Sequence, residues 1–495
     1  MLVAATLLAA AFPQDEPEMK VSLKQCVHLS LNHNESLEVA RFGPWIENET
    51  LLGSYGIFDW TLFAEGSSRG SASAPTSILS PSRSTAQSYE MGIRRLFPSG
   101  LLAEVRASSS RNKNDLFFTS INPSWNDRIG LTLSMPLLRG TGEEINTLTL
   151  VTARLNREMA VDEFETALQE SIFAVQTAYY ELAFARESEA MADEGLANAR
   201  QLARESRQRF DKGLIAKVQV TEADAQVAAE ELNVHAARQA HLDAMDRLKR
   251  LVDPRLLSLD RDTRLVPVDG PMDFEGGAGF DERAETARGV ERAVDTRADV
   301  RRARRAVHAQ ELIRRGAEDR LKPKLDVSVG AGYQGTSGNF HDASRELGDR
   351  DTYDYAFAFT FEIPLENRKA ESDARAAELD RRRLDAARRD LEGRVLVEIR
   401  EAARRIKTQE RSLLSAREGA RLAAERLAAE QSRFREGLTT TYFVNVAQTA
   451  QLQARVRELR ARIDYSLAHL NFARVTGRLL TDLGIDVKSE LGPRR

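Results

Sequence analysis

The stretch Arg433-Phe434-Arg435-Glu436-Gly437-Leu438 has a near-copy earlier in the chain, Arg209-Phe210-Asp211-Lys212-Gly213-Leu214. Each closes a long helical pattern, and each pattern opens behind a proline-leucine step. In the first half the step is Ser134-Met135-Pro136-Leu137-Leu138; in the second it is Glu362-Ile363-Pro364-Leu365. Pro136 to Gly213 spans 77 residues and Pro364 to Gly437 spans 73. The chain is therefore an internal duplication whose halves share a plan and nearly a length.

The helices follow from period. Ile406, Leu413, Ala420, Leu427 and Phe434 recur every seven residues, and Leu182, Leu196, Ala203 and Phe210 hold the same register in the first half. A seven-residue apolar repeat is a coiled-coil seam. Alanines at and beside it (Ala416, Ala423, Ala424) permit close helix approach. No proline falls between about 143 and 212 or between about 366 and 436. At 1.5 Å per residue, about seventy residues reach roughly 100 Å, some three times a bilayer core. Such a helix is a tether, a coiled coil or a stave of a tube. Gly213 and Gly437 suit the left-handed conformation that ends a helix. Return helices are expected over about 217–251 and 441–478, so each half holds an antiparallel hairpin. The return helices are about half as long as the outgoing ones. Helices over about 21–52 and 281–321 have the length to stack end to end with them, and 253–280 reads as a loop-dominated linker.

The clearest strand is 353–363, where Tyr353, Tyr355, Phe357, Phe359, Phe361 and Ile363 alternate with small or polar residues. Its partner is 325–333, and the polar stretch 334–352 between them reads as an extracellular loop. Weaker alternation marks 58–66, 87–97, 100–108 and 128–136. Aromatics on one face and small or polar groups on the other suit a barrel strand between lipid and lumen. So few strands cannot close a membrane barrel, which begins at eight, and an open edge in lipid leaves backbone groups unpaired. The subunit must oligomerise.

Charged residues make up 29% and aromatics 6%, the balance of long helices rather than of a globule. The net charge of -4 gives no reason to expect nucleic acid. Arg301, Arg302, Arg304 and Arg305 alternate with apolar residues at helical spacing and read as a solvated face. Cys26 is the only cysteine, which excludes an internal disulfide. Residues 1–12 carry a short apolar run ending in Ala9-Ala10-Ala11 and read as a secretory signal peptide. No stretch is long and apolar enough for a membrane helix, so entry into a membrane would be as a barrel. No phosphate loop is present, His235 and His241 share no helix face, and Gly140 and Gly142 suit a strand-to-helix turn. Neither an enzyme, a metal site nor a cofactor is expected.

Taken in order, these pieces resemble the TolC-like outer-membrane efflux proteins from about residue 21 to 480. Val21-Ser22-Leu23 through Leu31-Asn32-His33-Asn34 and Leu37 look like the family's opening helix. Pro136-Leu137-Leu138-Arg139-Gly140 and Pro364-Leu365 look like its strand-to-helix crossings. Phe210 to Ala216 and Phe434 to Thr440 look like its two periplasmic turns. Arg297-Ala298-Asp299-Val300 and Leu321-Lys322-Pro323-Lys324-Leu325 resemble the start of its second repeat.

The resemblance implies a mainly α channel-tunnel with two structural repeats, in which a homotrimer forms an outer-membrane β-barrel and a long periplasmic α-helical barrel. It implies a passive exit duct for a tripartite efflux pump or a type I secretion system. The partners would be a periplasmic adaptor (membrane fusion) protein, an inner-membrane transporter of RND, ABC or MFS type, and outer-membrane lipid. The adaptor would dock at the tips, Gly213, Leu214, Ile215, Ala216 and Lys217 with Gly437, Leu438, Thr439 and Thr440. The domains expected are a signal peptide (1–12), an N-terminal periplasmic helix (20–53), first-repeat strands (54–138) and a helical hairpin (139–252). A linker and mid-chain helix (253–322), second-repeat strands (323–365), a second hairpin (366–482) and a tail (483–495) follow.

Two departures stand out. Well-known members contribute four strands per subunit, so the hairpin at about 87–108 is extra; either the barrel is larger or this hairpin lies outside it. The familiar closure uses an arginine two residues, and aspartates six and nine residues, after the second-half glycine. Those places hold Thr439, Phe443 and Val446, with Gln219 at the six-residue place in the first half. An acidic ring is not expected; Phe443 is either an apolar constriction that opposes ions by dewetting or a packing residue. The alternative reading is a non-transport coiled-coil scaffold of the cell envelope, which explains the helices but not the duplicated crossings or the aromatic strand pair.

Overall fold

The computed structural model describes residues 18–74, 77, 80–257, 263–272, 280–349 and 351–492; the expected signal peptide lies outside them. In chain order the first elements are β1 (Glu18–Val21), α1 (Leu23–His33), α2 (Glu35–Ser54), β2 (Thr61–Ala72), β3 (Arg83–Leu96), β4 (Leu102–Asn114) and β5 (Ser124–Pro136). Then come α3 (Glu143–Asn146), α4 (Leu148–Asp211), α5 (Lys217–Val252), β6 (Arg264–Pro267), α6 (Glu282–Thr296) and α7 (Ala298–Asp319). The last are β7 (Lys324–Ser337), α8 (Phe340–Asp349), β8 (Tyr353–Glu362), α9 (Arg368–Arg435), α10 (Thr441–Val475), α11 (Leu479–Leu483) and α12 (Val487–Leu491). They fall into two compact units. One takes the chain up to Gly43, Val161–Arg301 and everything from Arg389; the other takes Pro44–Ala160 and Arg302–Arg388.

In the first unit the heptad seam is largely buried. Ile406, Leu413, Ala420 and Phe434 are buried and Leu427 is half-buried. On α4, Leu168, Ile172, Val175, Tyr179 and Leu182 recur at three- and four-residue steps and are all buried, the stripe a packed helix needs. The seam position between Leu182 and Leu196 is a glutamate. Glu189 is tolerated there because the return helix partners it: His241 Nδ1 lies 2.6 Å from Oε2, and Arg238 Nε donates to Oε1 at 3.1 Å. Burial pushes the Glu189 carboxyl up, but these hydrogen bonds and charges outweigh it and the net shift is down.

Each of the two helices expected to stack on a return helix proves to be two. The expected 21–52 helix breaks at Asn34, whose Oδ1 accepts from the amides of Ser36 and Leu37 at 2.9 and 3.3 Å. A side chain that caps a new helix competes with continuing the old one. The expected 281–321 helix breaks at Arg297, whose guanidinium is held by Asp299, Glu398 and the Val475 carbonyl. The linker at 253–280 also contains a strand: β6 pairs in parallel with β1. The buried Tyr179 hydroxyl fastens that pair, accepting from Val268 and Asp269 amides (3.1 and 2.8 Å) and donating to the Val21 carbonyl (3.2 Å). Helix α11 closes the second hairpin region, and the tail that follows carries helix α12.

The second unit holds one antiparallel sheet of six strands in the order β2-β3-β4-β5-β7-β8, together with helical segments that pack through Leu155, Ala309 and Leu312. The extra hairpin supplies β3 and β4 and is an integral part of that sheet. Register sorts its faces. Leu62, Ile93, Val105, Leu131, Ala331 and Tyr355 form one continuous row across all six strands. The row Ser67, Ser88, Ser110, Asn126 and Thr336 lies on the other face. There Arg106 pairs with Glu90 and Glu104 (2.9 and 2.8 Å), and Arg128 with Asp354 (2.6 Å). Most strands outrun their expected spans, because their polar ends still satisfy the ladder. The loop expected at 334–352 instead contains the last turns of β7 and helix α8; Phe340 stacks edge-on against Trp125, and Ser344 donates to Asp127 at 2.6 Å. Behind β5, the Leu137 amide donates to the Leu325 carbonyl (2.7 Å) and the Gly140 amide to the buried Asp319 (2.7 Å), which fixes the strand-to-helix crossing. Among the described residues no helix is long and apolar enough to cross a membrane.

Candidate functional site

The two turns are built alike. At the first, the Gly213 amide donates to the Phe210 carbonyl (2.8 Å) and Leu214 to Arg209 (2.9 Å); at the second, Gly437 donates to Phe434 (3.1 Å) and Leu438 to Arg433 (2.8 Å). This paired pattern is a Schellman motif, and it requires a left-handed residue at the glycine. Gly213 has φ +70° and Gly437 φ +76°. Five residues then lie between the last residue of the outgoing helix and the first of the return helix in both turns, between Asp211 and Lys217 and between Arg435 and Thr441.

What the turns present is apolar. Leu214 is 70% exposed and Leu438 66%. Val218 and Tyr442, four residues further on in each turn, are exposed as well. Ile215 and Thr439 are half-buried; Ala216 and Thr440 are exposed N-cap residues whose side chains make no capping bond, and Lys217 is exposed. Phe443 and Val446 share the solvent-facing side of α10, with Phe443 50% exposed and edge-on to Tyr442. Their neighbours Thr441, Val444 and Ala447 are buried. Phe443 is thus no part of this chain's core. Gln219 is half-buried in the first turn of α5.

Beneath the tips lies a clamp that sequence reasoning missed. Phe434 is 4% exposed and packs on Leu202 and Val444. The Arg209 guanidinium lies 4.1 Å from its ring centroid, and Nη1 donates to its carbonyl at 3.0 Å. Below them Ser206 Oγ and Thr441 Oγ1, both fully buried, sit 3.4 Å apart. The seam foretold Phe434 but not its arginine cover. It also predicted the same role for Phe210, which is 40% exposed.

The profile of a family described as outer membrane efflux protein matches residues 86–252 and 289–478, most of both repeats. The chain belongs to that family. As an outer membrane efflux protein it is a channel subunit of the outer membrane, which the apolar sheet face suits and a coiled-coil scaffold would not require. Its family is one of channels rather than of enzymes. Solved structures share the fold. The CmeC outer membrane channel of Campylobacter jejuni is 16% identical, with a TM-score of 0.68 over 95% of this chain and 89% of that one. VceC of Vibrio cholerae is 16% identical, with a TM-score of 0.66 over 92% and 96%. The open state of the MtrE channel of Neisseria gonorrhoeae is 16% identical, with a TM-score of 0.62 over 92% and 89%. No curated protein matches the sequence of this outer membrane efflux protein at a significant level. Among its described residues no group of His, Cys, Asp and Glu side chains could hold a metal ion.

Proposed function

We propose that three copies of this chain close into one duct, a passive exit for a tripartite efflux pump or a type I secretion system. The observation that carries this reading is the six-stranded sheet, with one apolar face and two unpaired edges, β2 and β8. In lipid each unpaired backbone group costs several kcal/mol, so the edges must meet partners. Joining β8 of one copy to β2 of the next makes eighteen strands from three six-stranded sheets, a size at which barrels leave an aqueous channel. The row of Arg106, Glu90 and Glu104 would then line water and the tyrosine and phenylalanine row would face lipid.

The exposed pairs Leu214 with Val218 and Leu438 with Tyr442 are the adaptor contacts on this reading, since exposed apolar patches at fixed positions mark interaction sites. Gly213, Ile215, Ala216 and Lys217, with Gly437, Thr439 and Thr440, shape the tips that carry them. An inner-membrane transporter supplies the energy. Phe443 and Val446, with Gln219 at the matching place, form the constriction; the exposure of Phe443 supports this over packing within one chain. Membrane fractionation followed by unheated gel electrophoresis tests the proposal. The duct predicts an outer-membrane band of trimer size that collapses on boiling, whereas a soluble monomer would overturn it.

A further inference from the structure

Gly213 and Gly437 lie 224 residues apart, and that offset lays the whole first turn on the second. It places Arg209 on Arg433, Phe210 on Phe434, Leu202 on Arg426, Ser206 on Glu430, Thr441 on Lys217 and Arg435 on Asp211. Within one chain, the first hairpin gives the second an arginine over a phenylalanine, a leucine beside it and a buried hydroxyl pair. The corresponding residues are left without that use. Phe210 is 40% exposed, and Arg426, Arg433 and Lys217 are exposed. Glu430 accepts from Arg433 through Oε1 at 3.3 Å, but its Oε2 is sealed from solvent with no hydrogen-bond partner. A buried carboxylate oxygen without a donor is costly.

We propose that these residues form the seam between copies at the tip. Arg433 of one copy stacks on Phe210 of the next, as Arg209 stacks on Phe434 within the chain. The Glu430 side chain keeps 17% of its surface exposed, and a turn of its carboxylate brings Oε2 out to the Lys217 ammonium of the next copy, where the chain itself uses the Ser206 and Thr441 hydroxyls. Arg426 comes to Asp211, since their counterparts Leu202 and Arg435 line one small cavity. The neutral hydroxyl pair inside the chain is replaced between copies by Glu430 and Lys217, and the leucine–arginine neighbours by Arg426 and Asp211. A second copy is the occupant because the repeat that generates the contact is the chain's own. The inference rests on the oligomeric duct. It adds that the two kinds of seam differ: the one within a chain is hydroxyl-bonded and insensitive to salt, and the one between chains is ionic and screened by it.

The 3.4 Å between the Ser206 and Thr441 oxygens puts a cysteine pair at the matching positions within disulfide reach. Lys217→Cys with Glu430→Cys, in a Cys26→Ala background, is therefore oxidised in outer membranes and run on heated, non-reducing gels. The seam predicts covalent dimers and trimers that neither single cysteine gives, since only the pair brings two thiols within disulfide geometry. A trimer on unheated gels that yields no such bands, or a disulfide closed within one chain, overturns the seam and leaves the duct standing. Absence of any oligomer in the unaltered protein overturns both. As a second arm, Glu430→Lys and Lys217→Glu should each lower the temperature at which the trimer dissociates, and the double swap should restore it. A double variant as weak as the singles contradicts the pairing.

Discussion

Replacing Phe434 by alanine removes a side chain that is 4% exposed from between Leu202, Val444 and the Arg209 guanidinium. A buried Phe→Ala change costs about 3–5 kcal/mol, and the cation–π contact adds about 0.5–2 kcal/mol. The site sits within a turn of a helix end and can partly collapse, which favours the lower bound. About 3 kcal/mol is roughly a hundredfold in an opening equilibrium. The amides to follow are Gly437 and Leu438, whose bonds to the Phe434 and Arg433 carbonyls close the second turn. Hydrogen exchange at these two amides should accelerate about a hundredfold while the middle of α9 is unaffected. Leu214→Ala, at a side chain 70% exposed, should change its own turn by no more than about 0.5 kcal/mol. Acceleration below about fivefold for Phe434→Ala, or an equal effect from Leu214→Ala, would refute the claim that the clamp holds the tip.

A Cβ at Gly213 or Gly437 would meet nothing within 4 Å, so alanine there should cost only the left-handed penalty of about 1–2 kcal/mol. The two variants should weaken their own turns equally by hydrogen exchange. Phe443→Ala should raise the closed-state conductance in planar bilayers if an apolar constriction is made there, and an unchanged closed state sinks that assignment. Burial holds the His469 imidazole below its ordinary 6.5, with Glu410 opposing. Its neutral form therefore contributes stability that is full above about 6.5 and is lost as pH falls through the lower folded value. Thermal melting between about pH 7 and 5 should show that loss, and His469→Phe should flatten it.

Much of the fold is legible in the sequence because it is periodic. The seven-residue spacing of Ile406, Leu413 and Ala420 named residues that are buried, and the glycines marked where both long helices end. All six sheet strands left some trace of alternation. What escaped has no periodic signature. Asn34 and Arg297 break helices through side-chain hydrogen bonds that a hydrophobic pattern does not record. The strands β1 and β6 are four residues each, too short to alternate. Helix α8 packs through Phe340 and Ser344 inside a stretch too polar to look packed. The tips divide similarly. Their glycines and leucines stood out as a repeated motif, whereas the unequal fates of Phe210 and Phe434 depend on which neighbour Arg209 covers, a contact 225 residues apart in sequence.

Single-particle imaging of the outer-membrane protein in lipid nanodiscs counts the copies in the duct and the strands in its barrel. A trimeric duct gives a three-fold particle whose membrane part is a closed barrel of eighteen strands, six from each chain. A monomeric particle, or a barrel from which β3 and β4 are excluded, would contradict it.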